Sequence, residues 1–465
     1  MKLKGVMTIE LTDESTGEVE TVTEENMITE AVNNILGLNP MGIFYKATDE
    51  YDTMVNWADN LLPICPNMIG GILCFSKALT EDASHIYELS DNLPVAYASN
   101  NVNDTVNTAR GSMNLTESMV LTDGYKFVWE FTPSQGNGTI AAVALTSALG
   151  GRNAYGSIAA DGSTFLDLKE VKLDDIEQAD QMMLFEMVEV DFENNLAYSI
   201  SYGSNTVVIT KMRLPIFNIG LNEKLDDTTF TVLETQTLTP STFKLKGNYT
   251  RYGDFFDGKD GYWYGFANQS NSSGSASMNW IKISKTDYSF TEGTWTLSNA
   301  KLKECGSRKK DDSYPKRNIT SVLRNGYLYV PAYDATGIYK INVSNSADVT
   351  LIPFGFTSTW KPLCEAGSCE VYAVLVGDLI IGRDFQVTVN DAVIQTAGEV
   401  RLNDAASPMF QYKNFLFQWG GSYGNEYRTA YLLTPYLASI NNLGSAVVKD
   451  ANKTMKITYT LTEQT

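Results

Sequence analysis

A hydrophobic strand introduced by a Gly or Asn turn recurs five times in the second half of this chain. The copies are Asn195-Leu196-Ala197-Tyr198-Ser199-Ile200, Gly261-Tyr262-Trp263-Tyr264-Gly265-Phe266, Gly326-Tyr327-Leu328-Tyr329-Val330, Gly377-Asp378-Leu379-Ile380-Ile381-Gly382 and Asn414-Phe415-Leu416-Phe417-Gln418-Trp419. Each is followed, after a turn, by a second strand, at 206–210, 279–283, 337–341, 385–389 and 429–433. The second and third of these share a Lys-Ile ending, Trp280-Ile281-Lys282-Ile283 beside Ile338-Tyr339-Lys340-Ile341. The copies begin at 195, 261, 326, 377 and 414, so they are 66, 65, 51 and 37 residues apart. Small multi-stranded units repeated every ~40–50 residues cannot bury their faces alone and stack as the blades of a β-propeller. The expectation is about five blades over residues 181–440, with insertions in the loops of the earlier ones. A second irregular sandwich with similar hairpins is the alternative.

Before the repeat the chain also reads as strand. Thr8–Thr12 and Glu18–Thr23 alternate about a turn at Gly17, a β-hairpin pattern. Met27, Ile28, Ala31, Val32, Ile35 and Leu36 then recur as one apolar stripe at a 3.6-residue period, which predicts a helix. Glu24 and Glu25 would lie at its N-terminus and Gly37 just past its end. Residues 111–148 alternate again, with Asp123-Gly124 and Gln135-Gly136-Asn137-Gly138 as turns. These segments predict an antiparallel β-sandwich with one helix over residues 1–165, followed by a connector at 166–180. The tail, Lys453-Thr454-Met455-Lys456-Ile457-Thr458-Tyr459-Thr460-Leu461-Thr462, alternates over too many residues to stay unpaired. Residues 441–465 are therefore expected to return to the first domain, which makes the propeller an insertion in it. The fold class expected is mainly β.

Composition narrows the function. Against 35 Lys and Arg stand 55 Asp and Glu, a formal charge of −20. Phosphate-backbone binding needs a surplus of cations, so nucleic acid is not an expected partner. The single histidine, His85, excludes sites built on two imidazoles and leaves one candidate base for a nucleophilic triad. In its context Ser84-His85-Ile86-Tyr87 an ordinary hydrogen bond is the expectation. The five cysteines, Cys65, Cys74, Cys305, Cys364 and Cys369, are too sparse for a disulfide framework. Cys364 and Cys369 suit free thiols, a small hairpin bridge or half a metal site. The first ten residues carry no apolar run of signal-peptide length, and no stretch approaches the ~18 apolar residues of a membrane span. A protein made in a reducing cytoplasm and not exported through a signal peptide is expected.

Several ordered segments resemble tail-associated proteins of tailed bacteriophages of Gram-positive gut bacteria. They begin at Thr8-Ile9-Glu10-Leu11-Thr12-Asp13, Thr16-Gly17 and Glu25-Asn26-Met27-Ile28-Thr29, and continue at Asn39-Pro40-Met41-Gly42, Gly70-Gly71-Ile72-Leu73-Cys74-Phe75 and Leu79-Thr80-Glu81-Asp82-Ala83. The likeness is densest at Gly111-Ser112-Met113-Asn114-Leu115-Thr116-Glu117-Ser118, Phe127-Val128-Trp129-Glu130-Phe131 and Ser134–Ile140, and ends at Val447-Val448-Lys449 and Lys453–Tyr459. It covers residues 1–155 and 445–465 and none of its motifs is catalytic. The resemblance implies a virion location, other virion proteins as partners, a homo-oligomer set by the tail's symmetry, and a shared mounting domain with a variable head. That is the arrangement of a tail-tip or tail-fibre receptor-binding protein.

Tyr249, Tyr252, Phe255, Phe256, Tyr262, Trp263, Tyr264 and Phe266 put eight aromatics into eighteen residues, interleaved with Arg251, Asp254, Asp257 and Asp260. Aromatic rings stack on sugar C–H faces and carboxylates bind hydroxyls, so Tyr252, Asp254, Phe256, Asp257, Asp260 and Trp263 are the candidate glycan-binding set. The alternative is that alternate rings fill a core. Asp254-Phe255-Phe256-Asp257-Gly258-Lys259-Asp260-Gly261 lacks the EF-hand spacing, and a turn is expected there before calcium. Arg308-Lys309-Lys310 with Lys316-Arg317 is a solvated loop or a contact for an acidic polymer or a neighbouring subunit. Ser289-Phe290-Thr291-Glu292-Gly293-Thr294-Trp295 approaches the sialidase turn but is one residue short, with its acid displaced. No catalytic residue, metal or cofactor is expected. The expected function is a non-enzymatic adsorption protein for host-surface polysaccharide. A propeller depolymerase acting through paired carboxylates, or a purely structural head-decoration or fibre protein, are the alternatives.

Overall fold

The computed structural model describes residues 3–30, 32, 69–88, 92, 94–146, 165–173, 187–191, 193–202, 206–213, 231–243, 254–268, 272–303, 317–319, 321–359, 361–366, 369–395, 409–412, 415–422, 425–433 and 436–463. These fall in two compact units, one drawn from Met1–Leu38, Met54–Leu168 and Leu432–Thr465, the other from Asn39–Thr53 and Lys169–Tyr431. The chain opens with β1 (Leu3–Asp13), β2 (Val19–Ile28), β3 (Gly71–Phe75), β4 (Pro94–Ala98), β5 (Ser112–Met113), β6 (Met119–Val120), β7 (Gly124–Phe131) and β8 (Gly138–Thr146). Next comes β9 (Phe165–Leu173), and then β10 (Met187–Asp191), β11 (Leu196–Tyr202), β12 (Val207–Arg213) and β13 (Thr231–Leu238). These are followed by β14 (Asp254–Asp257), β15 (Tyr262–Asn268), β16 (Ser275–Ser284) and β17 (Phe290–Ser298). After β18 (Arg317–Ile319) come β19 (Val322–Arg324), β20 (Tyr327–Pro331), β21 (Gly337–Asn342) and β22 (Val349–Pro353). After β23 (Cys364–Ala366) and β24 (Cys369–Val371) come β25 (Ala373–Val376), β26 (Leu379–Gly382), β27 (Phe385–Val387) and β28 (Val393–Gln395). The last strands are β29 (Met409–Tyr412), β30 (Phe415–Ser422), β31 (Asn425–Leu433), β32 (Ser439–Lys449) and β33 (Lys453–Glu463).

The first unit is one ten-stranded sheet. Nine strands run in the order β4-β3-β8-β32-β2-β1-β33-β7-β5, and β6 joins β7. Strand alternation sends Met7, Ile9 and Leu11 of β1 inward, and β33 answers with Tyr459, Ile457 and Met455 at the same register positions. On β7, Phe127, Trp129 and Phe131 complete the three rows. The tail strand thus lies between β1 and β7, paired with β1 from Leu3↔Glu463 to Asp13↔Lys453.

Two expectations are corrected here. The alternating segments form a single sheet that nearly closes on itself, barrel-like, where two packed sheets were expected. Its free edges meet at Tyr97 of β4, whose N–H donates to Ala109 O (2.9 Å) while Gly111 N–H donates to Tyr97 O (2.9 Å). Joining the edges satisfies backbone groups that an open sheet would expose. The expected helix does not begin at Met27, because Glu24–Ile28 continue β2 and Met27 pairs with Ile440 of β32. Of the rest of the stripe Val32 is described, and it is buried. Ala31, Ile35, Leu36 and Gly37 lie outside the described residues.

The second unit carries five four-stranded sheets. Four are runs of consecutive antiparallel strands: β10–β13, β14–β17, β19–β22 and β25–β28. The fifth has the order β29-β30-β31-β9, so the strand that precedes the first sheet completes the last. First strands neighbour one another, with β10 beside β14 and β29, and β25 beside β19 and β29. The repeat seen in the sequence is the middle pair of each sheet. Tyr198 stands opposite Lys211, Tyr264 opposite Lys282 and Tyr329 opposite Lys340, the same Tyr–Lys pairing in three successive sheets. Cores form between consecutive sheets. One joins Ile200 and Ile209 to Trp263 and Ile283, a second Phe266 and Trp295 to Leu328 and Ile341, and a third Ile338 and Ile352 to Ile380 and Phe385. Each large side chain so buried stabilises by about 1.5–3 kcal/mol.

A small three-stranded sheet, β18-β24-β23, holds Cys364 and Cys369. Its register sets Cys364 opposite Val371 and Cys369 opposite Ala366, so the two cysteines are not cross-strand partners. Among the described residues no helix is long and apolar enough to cross a membrane.

Candidate functional site

The acidic-aromatic segment folds as the β14–β15 hairpin. Lys259 (φ 59°) and Gly261 (φ 88°) take the left-handed conformations that let the chain reverse between Asp257 and Tyr262. Asp257 Oδ1 accepts from Lys259 N–H (2.8 Å) and Lys285 Nζ (2.7 Å), and its other oxygen lies 2.8 Å from Lys259 Nζ. Burial pushes the Asp257 carboxyl up, but the hydrogen bonds and charges of Lys259 and Lys285 outweigh it and hold the group below its ordinary value. Asp260 accepts from Tyr262 N–H (3.2 Å) and Tyr264 Oη (2.6 Å). Burial, reinforced by the Asp260 carboxylate, raises the Tyr264 phenol.

The six candidate residues part company on this hairpin. Asp257 and Asp260 come together at the turn. Phe256 packs onto the core shared by the second and third sheets. Asp254 is buried, its Oδ2 accepting from Ser321 Oγ at 2.5 Å. Trp263 is fully buried in the core between the first two sheets, where its Nε1–H donates to Glu189 Oε2 at 2.7 Å. Strand alternation, which sends Tyr262 and Tyr264 to the face opposite Trp263, is the signal that separates them. Tyr252 lies outside the described residues.

At the surface the hairpin presents Tyr262, one of the eight clustered aromatics but outside the candidate glycan-binding set. Tyr262 is 37% exposed, and Lys282 from β16 places Nζ 3.9 Å from the centre of its ring. The third sheet repeats the arrangement: Lys340 Nζ sits 4.3 Å from the Tyr327 ring centre. There, however, Asp391 from the β27–β28 turn closes the group, taking Lys340 Nζ at 2.5 Å, Tyr329 Oη at 2.9 Å and Arg324 Nη2 at 3.0 Å. Arg324 also donates to the carbonyls of Asp378 (2.7 Å) and Val387 (2.9 Å), so this second cluster ties the third sheet to the fourth.

The sialidase-like segment is strand β17. Its Glu292 accepts the backbone N–H groups of Ser241 (2.6 Å), Thr242 (2.7 Å) and Phe243 (2.6 Å) and the Ser241 hydroxyl (2.9 Å). A carboxylate so engaged is a structural cap. His85 Nε2 lies 2.7 Å from Glu88 Oε1, and its backbone N–H donates to Asp82 O. Cys74 is a buried free cysteine whose thiol burial pushes up to about 12. Among the described residues no group of three or more His, Cys, Asp or Glu side chains is arranged to hold a metal. The basic run at 308–310, with Lys316, lies outside the described residues.

No family model matches the chain, and no curated protein does. Among solved structures, AztD from Citrobacter koseri aligns at 11% identity and TM-score 0.22, covering 67% of this chain and 63% of that one. In that alignment the chain spans less than two thirds of the AztD chain. The apo form of AztD aligns at 10% identity and TM-score 0.22, covering 87% of this chain and 97% of that one. Likeness at this level does not speak for a shared fold.

Proposed function

We propose that this chain is a structural protein of a tailed-phage virion, a tail-tip or tail-fibre adsorption protein that recognises host-surface glycan without cleaving it. The observation that carries the reading is the pairing of β1 with β33, which weaves both ends of the chain into one barrel. Everything between β8 and β32 is then an insertion, the topology of a mount that carries a head. On this reading the five four-stranded sheets are the blades of a five-bladed propeller, and β9 closes the ring by completing the fifth. The order β29-β30-β31-β9 and the neighbouring of β10 with β29 support it. The phage-like segments supply strands β1, β3, β7, β8 and β33 of the barrel. Copies repeated about the tail would turn a weak single contact into avid attachment.

A non-enzymatic role is supported by what the carboxylates do. Asp257, Glu292 and Asp391 are each held by two or more structural donors. The burial of Trp263 and Asp254 favours a second reading, a head-decoration or fibre protein that binds virion proteins alone. Purified full-length chain on an array of surface polysaccharides from Gram-positive gut bacteria tests the proposal. Retention without released product is the expected result. Product release would make the protein a depolymerase, and no retention would leave the purely structural reading.

A further inference from the structure

Lys282 and Lys340 occupy equivalent places in successive sheets, yet among the described residues only Lys340 makes a direct hydrogen bond to its carboxylate, while Lys282 and Asp260 form a looser ion pair. Each stands opposite the second tyrosine of a Tyr-x-Tyr strand and lies over the ring of the first. Lys340 is closed off by Asp391 at 2.5 Å. Lys282 makes no hydrogen bond among the described residues, and its nearest carboxylate oxygen, Asp260 Oδ2, is 3.9 Å away. Asp260 cannot swing in without giving up Tyr264 Oη (2.6 Å) and Tyr262 N–H (3.2 Å).

A separation of 3.9 Å is too long for a hydrogen bond and suits one hydroxyl between the two groups. Such a hydroxyl accepts from the Lys282 ammonium and donates to the Asp260 carboxylate, each at about 2.8 Å. Lys282, Asp260 and Tyr262 are 33%, 46% and 37% exposed, so a ligand can reach all three; Lys282 Nζ covers one face of the Tyr262 ring, and the remaining exposed ring is the apolar surface beside the pair. The pair is one cation and one anion, and an uncharged hydroxyl, which can accept from the first and donate to the second, matches it; a neutral polyol is the corresponding chemistry.

We infer that Tyr262, Lys282 and Asp260 form a subsite for a neutral pyranose, with one sugar hydroxyl bridging Lys282 and Asp260 and the sugar's C–H groups against the part of the Tyr262 ring that Lys282 leaves uncovered. This rests on the glycan-adsorption reading and names the residues that would carry it. Trp263, on the opposite face of the strand, has no part in it.

The test uses the full chain on immobilised neutral cell-wall polysaccharide from Gram-positive gut bacteria, with polyglycerol-phosphate teichoic acid in parallel. Wild type is expected on the neutral polymer, with retention little changed by salt. K282M and Y262A should each weaken it about tenfold, a loss of roughly 1.4 kcal/mol. Thermal melting unchanged from wild type shows that these exposed substitutions leave the fold intact. Equal retention of wild type and both variants overturns the subsite and leaves glycan adsorption standing; binding to teichoic acid alone overturns both and makes the receptor an anionic polymer. No retention of wild type on either polymer overturns both.

Discussion

Ile9 of β1 and Ile457 of β33 stand directly opposite each other, both buried, with Trp129 of β7 next in the same row. The two isoleucines are far apart in sequence and share one core. The barrel-like sheet therefore cannot complete its core without β33.

Ile457→Ala should cost about 2–5 kcal/mol, since the row cannot collapse around the cavity without moving three strands. Urea unfolding followed by Trp fluorescence measures it. A loss below about 1 kcal/mol would show that β33 lies on the barrel without belonging to its core.

Glu292 should act as an acid-sensitive fastener. Burial raises its carboxyl, but the N–H groups of Phe243, Ser241 and Thr242 outweigh that and set it below its ordinary value. A depressed folded pKa contributes stability that is complete above the unfolded value, about 4.3, and is lost as pH falls through the folded value. Glu292→Gln should thus cost about 2 kcal/mol at pH 7. The gap from wild type should shrink as pH drops below about 4. Urea midpoints across pH check this, and a gap independent of pH would contradict it.

Asp391 gathers three donors, one of them Arg324, whose side chain is only 2% exposed. Removing the acceptor strands a buried cation. Asp391→Ala should cost about 3–5 kcal/mol, more than Lys340→Met, which deletes one outer member. A double-mutant cycle on the pair reads their coupling. Equal losses in the two single variants would argue against the hub.

Gly265 pairs with Phe255 on one side and Ile281 on the other. A Cβ there would run into the Phe255 ring and lie 2.8 Å from Ile281 Cγ2. Gly265→Ala should destabilise by about 1–3 kcal/mol through overpacking. A neutral result by chemical denaturation would show that the ring moves aside freely.

How much of this was legible follows from burial. The middle strands of the sheets show in the sequence because residues such as Leu328, Val330, Ile338 and Ile341 are buried in succession. The fourth strands do not, since β13 (Thr231–Leu238) is largely exposed and carries only scattered apolar residues. Met27 and Ile28 fit a helical stripe as well as a strand end, and only pairing with Ile440 and Ser439 decides between them. Alternation likewise announces a half-buried sheet without saying whether it closes, because the closure at Tyr97 and Arg110 uses loop backbone. Among the candidate site residues, Asp260 lies at the surface while Trp263, the most glycan-like by type, is core. Lys282 was legible only as a strand ending. Its role emerges from comparison with Lys340, which needs the distances to Asp260 and Asp391.

The adsorption account stands most directly on one measurement: polysaccharide retention by the purified full-length chain, with the eluate assayed for released sugar. The account predicts retention with no sugar released. Absence of retention on every host polysaccharide, or release of oligosaccharide, would contradict it.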